Sequence, residues 1–238
     1  MKRILKIFAI GIVLGLALVA LQRFFGLDED VFMRGYWIAA PAIILAAALI
    51  NILYNASYLR RLRRAVPLLE EDKPQEYIAA VKALLQTAKG RRMRSILTLN
   101  LAAGYVSAKE FDTAIPMLEG MDDKELWNSA ARVVHRINLI MSCFETEQYQ
   151  RAADLYRENE ALLARYRENK IYGANIAILD AIAALVNRRY EEGEAILDRA
   201  VQTWPDPRFQ RVFEEIRLTL GEMRDQEPAA DGEEPSGC

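Results

Sequence analysis

The chain has 238 residues and a formal net charge of −2, from 31 Lys and Arg against 33 Asp and Glu, with one histidine and two cysteines. This near-balance argues against a dedicated nucleic-acid binder. Two distant cysteines and a lone histidine give neither a disulfide framework nor a CxxC-type metal spacing.

Two charge-free stretches open the sequence, Ile7–Gln22 and Gly35–Leu59. Lys2, Arg3 and Lys6 precede the first, and Arg60, Arg61, Arg63 and Arg64 follow the second. Between them, Asp28, Glu29 and Asp30 face only Arg23 and Arg34. A helix of about 20 apolar residues crosses the hydrocarbon core, and basic residues near span ends stay on the cytoplasmic side. The pattern predicts a two-span transmembrane helical hairpin over residues 1–59, with spans at about 5–24 and 36–58. Both termini and everything after Arg60 are then cytoplasmic, with a loop Gly26–Arg34 outside. A cleaved signal peptide is disfavoured, because Leu18 occupies a cleavage-site position that calls for a small residue. Gly11 and Gly15 form a GxxxG in the first span, and Ala47, Asn51 and Asn55 share one face of the second. Gly11, Gly15, Asn51 and Asn55 are therefore candidates for membrane helix packing, either between the two spans or in a homo-oligomer. Arg60, Arg61, Arg63 and Arg64 are candidate contacts for lipid headgroups of the bilayer. A second basic cluster, Lys89, Arg91, Arg92 and Arg94, falls at a predicted turn.

Residues 60–224 carry 26 Lys and Arg against 25 Asp and Glu, and read as helix after helix with short polar breaks. A search for repeats finds one spacing four times: an aromatic, a small residue three later, and a large one four later still. The copies are Tyr77–Ala80–Leu84, Phe111–Ala114–Leu118, Tyr149–Ala152–Tyr156 and Tyr190–Gly193–Leu197, separated by 34, 38 and 41 residues. Small residues such as Ala102, Ala114, Ala152 and Ala181 fit where helices cross closely.

This pattern resembles the tetratricopeptide repeat over about residues 61–207, with Leu101, Ala102 and Tyr105 extending the match in the second copy and Pro205 closing the last. Departures include Thr98, Arg136 and Ala177 at the usual tryptophan, and Lys109, Glu147 and Arg188 at the usual glycine near the turn. Asp180 stands at a position that is normally large and apolar. The resemblance implies an all-α fold, an antiparallel α-hairpin solenoid whose first helices line a groove for peptides. That face collects Ile96, Leu99, Ala103 and Val106, then Val134, Ile137, Met141 and Phe144, then Ile178, Ile182 and Leu185. The candidate protein-binding groove is thus Leu99, Ala103, Val106, Ile137, Met141, Phe144, Ile178, Ile182 and Leu185. Members that grip a carboxylate use basic residues and asparagine there; here only Asn100 and Asn138 are comparable, which disfavours that ligand. An apolar groove needs a cover: an amphipathic helix from a partner, a second copy, or the chain's own run from Pro207 to Arg224. In that run Phe209, Val212, Phe213, Ile216 and Leu220 share one helical face. Residues 225–238, with five acids and no base, are expected to be a disordered tail.

No phosphate-cradling loop, zinc pair or nucleophile elbow is present. His135 has no second histidine anywhere and no cysteine close by as a partner, and Glu191, Glu192 and Glu194 complement a helix start. The expectation is a non-enzymatic protein with no cofactor and no nucleic-acid partner: a membrane-anchored scaffold presenting a protein-binding surface. The alternative is an architectural membrane protein whose hairpin self-associates and whose helical domain acts as a cap.

Overall fold

The computed structural model describes Gly15 and residues 17–20, 22–24, 26, 28–126 and 128–226. Among these the fold is all-α, with no strand. The chain divides into two compact units, Met1–Leu59 and Arg60–Cys238.

In the first unit, Gly15 and residues 17–20 and 22–24 are helical. Gly11 and most of the predicted first span lie outside the described residues. Helix α1 (Glu29–Ala65) begins in this unit and ends in the second. Asp28 precedes it and its carboxylate accepts from the Asp30 N–H at 2.9 Å, which satisfies one orphan donor of the first turn. Because of this cap the helix starts inside the stretch predicted as the loop Gly26–Arg34. One helix among the described residues, Met33–Glu70, is long and apolar enough to cross a membrane. Its charge-free portion, Gly35–Leu59, is about 37 Å long at 1.5 Å per residue, against about 30 Å of hydrocarbon. Trp37, Ile38, Ile43, Leu45 and Ile50 along it are exposed.

The second unit contains α2 (Pro67–Glu70), α3 (Pro74–Thr87), α4 (Arg91–Ser107), α5 (Phe111–Glu119), α6 (Ser129–Glu145), α7 (Tyr149–Ala164), α8 (Gly173–Val186), α9 (Tyr190–Thr203) and α10 (Pro207–Gln226). Sequence explains many of the boundaries. Pro67, Pro74 and Pro207 open their helices, where a missing N–H costs nothing. Asn128 caps α6 by accepting from the Ala131 N–H at 2.8 Å. Pro116 inside α5 removes a ladder donor and keeps that helix short. The C-termini of α2, α4, α6 and α8 share one device. At the end of α4, the Lys109 N–H donates to the Val106 carbonyl at 3.0 Å and the Glu110 N–H to the Tyr105 carbonyl at 2.9 Å. The same pair of bonds recurs after α6 from Glu147 and Gln148, after α8 from Arg188 and Arg189, and after α2 from Asp72 and Lys73. Each is a Schellman motif, which needs a left-handed residue, and Asp72, Lys109, Glu147 and Arg188 have φ of 58°, 59°, 60° and 56°.

Consecutive helices from α2 to α10 pack on one another in chain order, and α4 packs also on α6, α6 on α8, and α8 on α10. Ala102, Ala114, Ala152 and Ala181 are all buried, as helix crossings require. One core cluster joins α4 to α8 through Leu99, Leu118, Ile140, Cys143, Leu163 and Leu179. Another joins α8, α9 and α10 through Ile178, Ile182, Leu197, Phe213, Ile216 and Leu220. At the end of the chain, α10 extends two residues past the predicted boundary at 224.

Candidate functional site: a cleft between α7 and α9

Much of the predicted groove is interior. Leu99, Ile137, Ile178, Ile182 and Leu185 are buried. The last three share a cluster with Phe213, Ile216 and Leu220, so the chain's own α10 covers them. Met141 and Phe144 are half-buried and pack against both clusters, and Phe144 meets Tyr149 edge-on at 5.4 Å. Of the nine residues, Ala103, Val106, Met141 and Phe144 keep partial access to solvent. Asn100 is held by the Tyr77 hydroxyl at 3.1 Å and by its own donation to the Ile96 carbonyl at 2.8 Å. The buried Asn138 amide nitrogen has no partner.

A further concavity lies elsewhere. A cleft of about 1180 Å³ opens between α7 and α9 over α8. Ala153 of α7, Ala177 of α8, and Ala195 and Ala200 of α9 contribute small side chains to its lining. Its charged lining carries both signs, with Arg157 and Glu160 from α7, Arg189 just before α9, and Glu192 and Arg199 from α9. Residues 165–172, a run of turns between α7 and α8, close one end. There Gly173 is packed so tightly against Trp204 and the Arg167 carbonyl that a Cβ would clash with both.

A polar cluster ties this run of turns to the cleft. The Arg167 guanidinium donates to both carboxylate oxygens of Asp180, at 2.8 and 3.2 Å, and to the Tyr156 hydroxyl at 3.2 Å. The Tyr156 hydroxyl in turn donates to Asp180. A forked guanidinium–carboxylate pair fixes geometry as well as charge. Asp180 has a side-chain exposure of 13% against 42% for Arg167, so the pair spans interior and rim. Burial, reinforced by the bond to Asp180, raises the Tyr156 phenol well above its ordinary value. The bond to Asp180 likewise raises the Arg167 guanidinium. These bonds tie the run of turns at Arg167 to α7 and α8.

His135 is buried on α6. Its Nε2 lies 2.7 Å from the Leu118 carbonyl oxygen and its Nδ1 3.0 Å from Arg136 Nη1. A carbonyl only accepts and a guanidinium only donates. The ring is therefore the neutral Nε2–H tautomer, joining α5 to α6. Arg136 also donates to Asp123 at 2.6 Å and to Asn159 at 3.1 Å. Burial lowers the His135 pKa. No group of three or more His, Cys, Asp or Glu among the described residues is arranged to hold a metal ion.

On α1, the Asn55 amide donates to the Asn51 side-chain oxygen and to the Asn51 carbonyl, each at 2.9 Å. The two asparagines thus partly satisfy each other along one helix. Of the second basic cluster, Arg91 is bound by Glu125 at 2.6 Å, and Arg94 donates to the Leu85 carbonyl at 3.1 Å. Arg60, Arg61, Arg63 and Arg64 are all exposed.

No family model matches the chain, nor does any characterised protein or solved structure. The repeat spacing picked out Tyr156 only as a large packing residue, and no motif pointed to Arg167 or Trp204. The one local signal was Asp180, a carboxylate where the repeat pattern expects a large apolar residue.

Proposed function

We propose that the chain is a membrane-anchored scaffold. Helix α1 fixes it in the bilayer, and the helical domain, a solenoid resembling tetratricopeptide repeats, lies on the cytoplasmic side and docks a helical segment of a partner protein. The observation that carries this reading is the cleft between α7 and α9. Its size exceeds the roughly 300–1,000 Å³ of small-molecule pockets. Its small lining residues let a helix backbone approach closely, and charges of both signs on the two sides would set the direction of an incoming helix. The groove of the sequence reading is the weaker docking surface, because α10 already fills its last third.

The test places a photo-crosslinking side chain at Ala195 or Ala153 in the full-length protein in membranes, with Lys82 on α3 as control. A distinct crosslinked protein from the cleft positions, absent from the control, supports docking. Crosslinks only to second copies of the chain favour the architectural role. Identical products from all three positions would refute the cleft as the docking surface.

A further inference from the structure

The scaffold reading leaves the arginines at the end of α1 unused. The helix runs without interruption through Leu59 into Arg60, Arg61, Arg63 and Arg64. At 1.5 Å per residue all four lie within about 8 Å of the last apolar residue, the depth of the headgroup layer, about 5–7 Å on each side of the hydrocarbon. With about 100° between successive residues they occupy one arc of about 160°. Leu62 and Ala65 lie on the opposite face and are buried, at 7% and 6% exposure. That burial fixes the rotation of the helix end and holds the four guanidinium groups outward together.

Arginines elsewhere in the second unit are commonly committed to acids: Arg91 to Glu125, Arg136 to Asp123, Arg167 to Asp180, Arg217 to Asp198 and Arg224 to Glu194. None of the four in the arc pairs with an acidic side chain among the described residues. Retention on the cytoplasmic side requires only positive charge, which lysine supplies equally well. The cluster is nevertheless arginine throughout. What arginine adds is a rigid donor fork that matches phosphate oxygens two at a time.

We propose that Arg60, Arg61, Arg63 and Arg64 form a binding site for anionic phospholipid, whose headgroup phosphate is held by guanidinium forks at the end of α1. The inference rests on α1 being the membrane anchor. The site recruits acidic lipid around the end of α1.

The test uses the full-length protein in nanodiscs of phosphatidylcholine with a minority of phosphatidylglycerol. Co-elution with the disc reads the anchor first; a chain that stays outside the disc overturns the anchor, and this site with it. Lipids retained on the protein are then counted by native mass spectrometry. The wild type should retain phosphatidylglycerol at least about fivefold above its share of the bilayer, the effect of a single basic residue near such a surface. The R60Q/R61Q/R63Q/R64Q variant should lose the enrichment. The R60K/R61K/R63K/R64K variant keeps the charge without the fork and should retain clearly less than wild type. A disc has no inside or outside, so altered topology cannot imitate these results, and circular dichroism checks that each variant is folded. Equal enrichment in wild type and the glutamine variant overturns the site, and equal enrichment in wild type and the lysine variant overturns the fork. Displacement of the lipid by excess inorganic phosphate at constant ionic strength would assign the site to a free anion instead.

Discussion

Lys109 and Glu147 close two of the Schellman motifs in the left-handed region, at φ of 59° and 60°. In that conformation a Cβ crowds the backbone and costs roughly 1–2 kcal/mol. Glycine removes the clash but brings back roughly 0.5–1 kcal/mol of unfolded-chain freedom. The motif's own hydrogen bonds, Lys109 N–H to Val106 and Glu110 N–H to Tyr105, are backbone bonds and survive the substitution. Lys109→Gly should therefore stabilise the domain by about 0.5–1 kcal/mol, or about 1–4 °C for a domain of this size, and Glu147→Gly by a similar amount. Asp72 shares the conformation, at φ of 58°, but aspartate tolerates it better, so Asp72→Gly should gain less. Lys109→Ala provides the control, because alanine keeps the Cβ while deleting the charge. Urea unfolding of the full-length protein in detergent, followed by circular dichroism, reads each midpoint. A gain in Lys109→Ala equal to that in Lys109→Gly would refute the steric account, and destabilisation by Lys109→Gly would refute the cap assignment itself.

His135 is held neutral in the fold, its pKa lowered from the ordinary 6.5 by burial. Below about pH 6.5 the unfolded chain then takes up a proton that the folded chain refuses; stability contributed by this group is complete above that pH and falls as the solution is acidified. The urea midpoint of wild type should drop more between pH 7 and pH 5 than that of His135→Gln, and parallel curves would refute the assignment. Asp180→Ala removes the carboxylate that Arg167 and Tyr156 share and should cost about 1–3 kcal/mol. The same variant should speed tryptic cleavage after Arg165, Arg167 or Lys170, and an unchanged digestion rate would refute the cluster's role in holding those turns. Phe144→Asp should unfold the domain, at a cost of about 3–5 kcal/mol, because Phe144 packs against both core clusters. Native circular dichroism for that variant would return Phe144 to the list of surface contacts.

The succession of helices and the buried alanines were legible from sequence because each depends on residues within a few turns of one another. The turn positions show how far local reading goes. Lys109, Glu147 and Arg188 registered as departures from an expected glycine, and the structure shows all three in the left-handed conformation that glycine favours. Asp180 registered as an anomaly for a different reason. Its partners Tyr156 and Arg167 lie 24 and 13 residues away, and nothing local announces such a pair. The cover of the groove stayed open for the same reason: periodicity marks Ile178, Ile182 and Leu185 as one apolar stripe, but which of the three possible covers lies on it is a tertiary fact, and here α10 packs on that stripe. The cleft was invisible because its lining, alanines between charged residues, reads as ordinary solvated helix.

The placement of α10 has a consequence for the making of the protein. Ile178 and Ile182 emerge from the ribosome before the residues that will cover them, with Leu220 following Ile178 by 42 positions. At 5–20 residues per second, the apolar stripe of α8 waits about 2–8 s for its cover. During that interval the stripe is an unfinished, adhesive surface. A chain terminated before Pro207 would carry that surface permanently and become a target for proteolysis or aggregation.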